Sequence, residues 1–150
     1  MRWLWPGALL SFFVNMIKVL KLRPKHLQVM RRHVSAQAPL EACGLLAGKQ
    51  DLVETVLRVR NADQSPVRFR MDAQEQYNAF EWIADHDLKL VGIFHSHPSG
   101  SETASPTDVA EAAYEVVHVI WSRTGRKWSA RGFWIGEGQV TEVGLQVLLE

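Results

Sequence analysis

Two histidines one residue apart, His95 and His97, end an apolar stretch, and Ser105 and Asp108 follow at fixed distances. On a β-strand, residues i and i+2 project from the same face, so the two imidazoles would point at one place. Pro98 cannot continue a central strand, and the Gly/Ser-rich segment after it lets the chain turn back. Two neutral imidazoles and one carboxylate are the ligands of a catalytic zinc site, which keeps its fourth position open for water.

Ser105 and Pro106 have the pattern of a helix N-cap and first helical residue, which puts Asp108 in the first turn. The helix dipole favours an ionised carboxylate there, and that form binds metals. A simpler interpretation also exists. Ser105 and Asp108 make a capping box worth about 1 kcal/mol without any metal, and a histidine pair at a strand end can be merely solvated. Only the complete set of residues favours a metal site over this interpretation.

A further carboxylate, Glu41, opens the apolar segment EACGLLAGK, which is predicted to be a buried strand with Glu41 as its first residue. Burying a carboxylate without a partner is costly, which indicates a chemical role. A catalytic zinc ion lowers the pKa of its water to about 7. Glu41 is the candidate to take the water's proton and deliver it to a leaving amine.

The motif HSHP at 95–98 is followed after six residues by Ser105 and after two more by Asp108, and Glu41 lies upstream. Together these residues resemble the JAMM signature of the JAB/MPN metalloprotease family. The resemblance is to the metal-binding branch of that family and to its small, stand-alone bacterial and archaeal members. It covers about residues 16 to 147. All five expected positions are filled, which argues against the branch that has lost its metal ligands.

The resemblance implies that His95, His97 and Asp108 hold Zn²⁺. It further implies that Glu41 is the general acid/base and that Ser105 helps to stabilise the oxyanion. The implied fold is a three-layer α/β/α sandwich with a mixed central sheet, in the α/β (α+β) class and similar to cytidine deaminases. The paired cysteines of the deaminase motif are absent from the chain, so deamination is not expected.

Members of this family cleave peptide or isopeptide bonds after the C-terminal Gly-Gly of ubiquitin-like proteins, or release cysteine or other adducts from sulfur-carrier proteins. The resemblance implies a ubiquitin-like or sulfur-carrier substrate. Many members have a proline just before the serine where this chain has Ala104, a difference that moves no ligand. Two alternatives stay open: a non-catalytic interaction module that binds zinc, and a zinc hydrolase of small amides.

Hydrophobic periodicity predicts the elements that must position these residues. Helices are predicted over 24–37, from Asp72 through Ile83, and from Ser105 to about Val117. Strands are predicted over 17–22, 41–49, 52–59, 67–71, 88–94, 116–122, 128–135 and 139–149. Strands and helices therefore alternate, which favours a mixed sheet with helices packed on it.

The composition limits the class of protein. With 150 residues, 47% of them hydrophobic, the chain is long enough for one domain with its own core. A formal charge of +1 gives no electrostatic reason to bind nucleic acid. The single cysteine, Cys43, excludes an internal disulfide and cysteine-based zinc sites, and we expect it to be a small core residue. We expect a cytoplasmic protein, since a reducing compartment is compatible with this cysteine usage.

Residues 1–15 are apolar, with Arg2 as their one charge. The uncharged run over 3–17 is shorter than the roughly 20 residues that a membrane-spanning helix needs. Two interpretations stay open: this segment is a membrane anchor or signal, or translation starts at Met16 and the upstream residues are a mis-assigned extension. In either case residues 16–150 are predicted to form the JAB/MPN domain.

Overall fold

The computed structural model of the chain describes residues 16–149. Within this range the helices are α1 (Pro24–Gln37), α2 (Ala73–Asp85) and α3 (Pro106–Glu111). The strands are β1 (Val19–Leu22), β2 (Cys43–Lys49), β3 (Leu52–Val59), β4 (Lys89–His97), β5 (Val116–Thr124), β6 (Lys127–Gly136) and β7 (Gln139–Val147). The apolar segment 1–15 lies outside the described residues, and its role stays a prediction. None of the described helices has the length and apolar character needed to cross a bilayer.

The strands form one mixed sheet in the order β1-β3-β2-β4-β5-β6-β7. β1 runs parallel to both β3 and β7, and β4 runs parallel to β5. The remaining neighbours are antiparallel. Because β1 pairs with β3 on one side and with β7 on the other, the sheet closes on itself. The predicted mixed sheet is confirmed.

α1 and α2 pack on opposite faces of the sheet. Along β2, Leu46 belongs to the core cluster that contains Met30 of α1. Its neighbour Leu45 belongs to the cluster that contains Ile83 of α2. Alternate residues of a strand point to opposite faces, so an uninterrupted apolar strand indicates burial on both sides. The predicted three-layer α/β/α arrangement follows from this alternation.

The predicted strand over 67–71 is wrong. Residues 62–70 form a loop, and only Met71 makes an isolated bridge, to Asn61. The Asn61 side chain forms hydrogen bonds with backbone groups that would pair with a neighbouring strand if this segment were a strand. It accepts from the N–H of Arg70 and donates to the carbonyl of Arg68. The alternating pattern of this segment therefore reflects a loop organised by a side chain, which periodicity alone does not distinguish from a strand.

The third helix is shorter than predicted. It was expected from Ser105 to about Val117, but α3 ends at Glu111 and Ala112 is already extended. Val116 opens β5, and Val117 pairs with Gly92 of β4. Two consecutive β-branched residues favour a strand, and the parallel pairing with β4 outweighs continuation of the helix.

Candidate metal centre

β4 carries the two histidines to the edge of the core. His95 and His97 project to one face of this strand, as predicted, while Ser96 points to the other. The Ser96 hydroxyl accepts a hydrogen bond from the Ala42 N–H at 2.8 Å, so it joins β4 to the residue that follows Glu41. Pro98 then leads the chain out of the sheet.

The N-terminus of α3 brings in the aspartate. The Asp108 N–H donates to the Ser105 hydroxyl at 3.0 Å, and the Ser105 N–H donates to Asp108 Oδ2 at 2.8 Å. The predicted capping box is therefore present. It also orients the Asp108 carboxylate towards the histidines, so the capping and metal-site interpretations of these two residues are compatible.

The three predicted ligand side chains converge. His95 Nε2 lies 3.2 Å from Asp108 Oδ1, and His97 Nε2 lies 3.1 Å from Asp108 Oδ2. The two Nε2 atoms are 3.1 Å apart. Ligand atoms about 2.0–2.1 Å from a tetrahedral zinc ion lie about 3.3 Å from one another. The donor atoms are thus spaced like one face of such a coordination shell, and this set fits zinc.

Further contacts fix the orientation of each ring. His97 Nδ1 donates to the Ser101 carbonyl at 2.7 Å, which leaves the lone pair of Nε2 facing the site. The Phe69 ring stacks on His95 with centroids 4.5 Å apart. Burial lowers the pKa of His95. Burial would raise the pKa of Asp108, but its contacts with His95 and His97 hold it well below its usual range. The same carboxylate raises the pKa of His97 against the effect of burial. A metal binds the ionised carboxylate and the neutral form of each imidazole, so metal binding would release any proton held on His97 Nε2.

Glu41 lies next to this group. Its side chain is 4% exposed, and Oε1 has no hydrogen-bond partner among the described residues. Burial raises the pKa of Glu41 to about 7. Ligand atoms of Glu41, His95 and His97 lie within 4.8 Å of one another. The predicted strand start at Glu41 is two residues early, since β2 begins at Cys43. A carboxyl group with this pKa can both accept and donate a proton near neutral pH.

Two hollows adjoin the site. A narrow cleft of about 180 Å³ is lined by Glu41, Pro66, Val67, His97, Ser99, Gly100, Ser101 and Ser105. A larger cavity of about 330 Å³ includes Asp108 and apolar residues such as Phe69, Met71 and Ile93 in its lining. The metal donors therefore have an open side towards the cleft, and Asp108 borders the larger cavity.

His118 lines the larger cavity. Its side chain is 4% exposed, and neither ring nitrogen has a hydrogen-bond partner of normal geometry among the described residues, although the Tyr114 carbonyl favours the protonated ring. Burial lowers its pKa to about 4. Its position beside Asp108 depends on the pairing of β5 with β4, for which the local sequence gives no signal.

Cys43 is a buried core residue, as expected. Its thiol donates to the Val59 carbonyl at 3.4 Å, and burial raises its pKa to about 12. A thiol that stays protonated at neutral pH is a poor nucleophile. Cysteine chemistry is therefore not supported at this position.

The sequence has relatives among characterised proteins. A family model described as prokaryotic homologs of the JAB domain matches residues 23–134. The chain is 37% identical over 123 residues to the "Probable TtuB-protein conjugate cleaving protease" of Thermus thermophilus, covering 81% of this chain and 78% of that protein. It is 32% identical over 136 residues to the "CysO-cysteine peptidase" of Mycobacterium tuberculosis, covering 88% and 93%. Both relatives are named as hydrolytic enzymes.

Solved structures agree with this relationship. A protein from Desulfitobacterium hafniense superimposes with a TM-score of 0.80 at 32% identity, covering 87% of this chain and 94% of that one. A JAB1/MPN domain protein from Archaeoglobus fulgidus, 20% identical, gives a TM-score of 0.57 over 87% of this chain and 97% of its own, which supports the fold alone. The chain therefore belongs to the family of prokaryotic homologues of the JAB domain.

Proposed function

We propose that the protein is a zinc-dependent metallopeptidase or isopeptidase that hydrolyses the bond after the C-terminal Gly-Gly of a ubiquitin-like or sulfur-carrier protein. The observation that carries this proposal is the convergence of two histidines and an aspartate beside a buried glutamate whose Oε1 has no partner among residues 16–149. Structural zinc is normally enclosed by four protein ligands, whereas three ligands and an adjacent carboxyl group are typical of hydrolytic sites.

His95, His97 and Asp108 would hold the ion, and the bound ion would supply a Lewis acid that activates water and polarises the scissile carbonyl. Glu41 takes a proton from the attacking water at Oε1 and gives it to the departing amine. Its pKa of about 7 allows both transfers near neutral pH. The Asp108 carboxylate also keeps the two rings oriented, through contacts of 3.2 and 3.1 Å.

Ser105 is proposed to stabilise the charge that develops on the carbonyl oxygen. Its oxygen already accepts the Asp108 N–H, while no acceptor for its hydroxyl hydrogen is found among residues 16–149. Ser105 also lines the narrow cleft. A hydroxyl that is held in place by one bond and is free to donate another is suited to stabilising an oxyanion.

The shape of the two hollows supports a carrier-protein tail as substrate. The narrow cleft of about 180 Å³ between Val67 and Ser101 has room for a chain with little side-chain volume, such as Gly-Gly. We place the bulkier residues that precede Gly-Gly in the 330 Å³ cavity beside Asp108. The names of the two relatives include both a protein conjugate and a cysteine adduct, so both kinds of bond are candidate substrates. We propose that this reaction takes place in the cytoplasm.

The test is a hydrolysis assay on two substrates, a carrier protein joined through Gly-Gly to a second protein and the same carrier with a C-terminal cysteine. We expect one zinc per chain and cleavage that a chelator abolishes. Glu41→Gln keeps the size of the side chain but removes the base, so it should retain zinc and lose about 10²–10⁴-fold in rate. Glu54→Gln, on an exposed position of β3, is the matched control.

Three outcomes would contradict the proposal. Full activity of Glu41→Gln with zinc retained would remove Glu41 from the mechanism. A zinc-loaded protein that binds a carrier tightly without cleaving any conjugate would instead be an interaction module, and cleavage of free small amides alone would indicate a different substrate class.

A further inference from the structure

Asn61 follows β3 and has a buried side chain, 5% exposed, whose hydrogen-bonding groups are all used. Its Nδ2 donates to the Glu41 carbonyl at 3.0 Å and to the Arg68 carbonyl at 2.9 Å. Its Oδ1 accepts from the N–H of Asp63 at 3.1 Å and of Arg70 at 3.0 Å. Two donor hydrogens and two acceptor lone pairs are the full capacity of an asparagine amide.

These partners leave only one orientation for the amide. Both groups facing Nδ2 are carbonyls, and both groups facing Oδ1 are N–H groups. An aspartate of the same shape would put a carboxylate oxygen against the Glu41 and Arg68 carbonyls, and would remove the hydrogen bond that each of them accepts. The position therefore requires an amide, not only a polar side chain of this size.

The backbone of Glu41 is held mainly by the loop that Asn61 organises. The Glu41 N–H donates to the Ser65 carbonyl at 2.8 Å, and the Glu41 carbonyl accepts from Asn61. The next residue belongs to a different part of the structure: the Ala42 N–H donates to the Ser96 hydroxyl, and the Ala42 carbonyl accepts the Ser96 N–H at 3.0 Å. Loop 62–70 therefore fixes Glu41, whereas β4 fixes Ala42.

The same loop also borders the site. Pro66 and Val67 line the narrow cleft, and Val67 is 76% exposed. Phe69 stacks on His95. The loop that forms one wall of the cleft thus also holds the proposed general base, and a single buried amide determines its shape.

We propose that Asn61 is a positioning residue that fixes Glu41 relative to the metal donors and joins it to the cleft wall formed by loop 62–70. This inference rests on the function proposed for Glu41. Asn61 itself does not line the cleft or the cavity. It acts through the main chain of Glu41 and through the shape of the loop.

The kinetic test compares Asn61→Ala and Asn61→Asp with the wild-type enzyme on a cleavable carrier conjugate. We expect kcat to fall by about 10²-fold, the loss typical when a catalytic group is misplaced by about 1 Å. Zinc content should be unchanged, because the ligands lie on β4 and α3. Asn78→Ala is the matched control, since it removes an exposed asparagine of α2 that accepts a hydrogen bond from Gln74 and lines neither the cleft nor the cavity.

A double-mutant cycle separates positioning from general damage. If Asn61 acts through Glu41, Asn61→Ala should lower kcat strongly in the wild-type background and by less than about 2-fold in the Glu41→Gln background. Equal fold losses in both backgrounds would overturn the proposal. Wild-type kcat in both Asn61 variants would overturn it as well.

Amide hydrogen exchange gives a readout that does not depend on activity, even if the Asn61 variants fail to fold. In the wild-type protein, the N–H groups of Glu41, Ala62 and Arg70 should exchange through the same local unfolding event. The N–H of Ala42 should exchange through a different one. In Asn61→Ala, Glu41 should lose protection while Ala42 keeps it. If the Glu41 N–H exchanges together with that of Ala42 and independently of loop 62–70, Asn61 does not position Glu41. This result would refute the proposal whether or not the protein hydrolyses any conjugate.

Discussion

Two of the three donor side chains of the candidate centre, His97 and Asp108, are oriented by a second hydrogen bond, whereas His95 is held by the stacked Phe69 ring and its Nδ1 has no partner among the described residues. The Ser101 carbonyl determines which nitrogen of His97 faces the site, and the Ser105 N–H holds one oxygen of Asp108. Such supporting bonds reduce the reorganisation needed when an ion binds. Ser105 caps the helix, and its proposed second role, as a hydroxyl donor to the oxyanion, can be tested separately.

Ser105→Ala and Ser105→Gly should distinguish these roles. Both remove the hydroxyl, so both should reduce kcat by about 10²–10³-fold if it stabilises the oxyanion. The alanine variant should lose about 1 kcal/mol of unfolding free energy as a cap, and the glycine variant only a few tenths. The measurements are steady-state kinetics and urea unfolding. Activity that recovers in the glycine variant would reduce Ser105 to a cap.

The site residues that lie close together in sequence could be predicted from it. The spacing of His95, His97 and Asp108 predicts that these side chains lie close together, because strand and helix periodicity place them near one another, and they do converge. Asn61 and His118 could not be found in this way. Their roles depend on contacts with Glu41 and with the surroundings of Asp108, which only the folded loop and the pairing of β4 with β5 create.

At the scale of elements, the end of α3 and loop 62–70 lie on either side of the larger cavity. Arg68 and Glu111 form an ion pair between them. Both side chains are exposed, so the pair contributes little stability. The cavity is nevertheless well defined, because its apolar lining is part of the core clusters that pack on β4.

Ala113→Trp tests whether this cavity receives the carrier tail. Ala113 is exposed and lines the cavity, so a large ring there should take up space without disturbing the core. We expect KM for a carrier conjugate to rise about tenfold, a loss of about 1.4 kcal/mol in binding, with kcat and zinc content near wild type. Gln139→Trp, at the exposed start of β7, is the control. An unchanged KM would place the tail elsewhere.

Most elements could be predicted from periodicity, and the two largest errors have physical causes. The strands around the site follow from apolar runs that the sheet buries on both faces. Loop 62–70 alternates like a strand, but its backbone groups pair with the Asn61 side chain. The end of α3 is determined by the parallel pairing of β5 with β4, a long-range contact that no local pattern contains.

For the whole molecule, metal binding should be linked to stability. An ion that binds only the folded chain raises the free energy of unfolding, by about 2.7 kcal/mol when free zinc is 100 times Kd. We expect Zn²⁺ to raise Tm in calorimetry and a chelator to reverse the rise. Asp108→Asn should remove most of this response, and the exposed Asp85→Asn should retain it. A full response in Asp108→Asn would exclude Asp108 as a ligand.

The pH dependence of stability should include a contribution from His118. Burial lowers its folded-state pKa to about 4, below the unfolded value of 6.5. Between these values the unfolded chain binds a proton that the folded chain does not, so the free energy of unfolding falls as the pH falls, by up to about 1.4 kcal/mol per unit. Urea unfolding from pH 7 to 4 should show a shallower decline in His118→Gln. An equal change in the control, His86→Gln on the exposed end of α2, would contradict the assignment.

The closed sheet limits how a partner can be recognised. β1 pairs with β7 along its length and meets β3 at Lys21 and Leu52, so each of the seven described strands has a neighbour on both sides. At 144–147 of β7, an incoming extended peptide would have to displace β1 before it could join the sheet, whereas β3 pairs with β1 only at Leu52. Where the sheet is closed, partner choice is left to the surrounding loops, which tolerate substitution and insertion, so selectivity can diverge between homologues while the reaction chemistry stays the same.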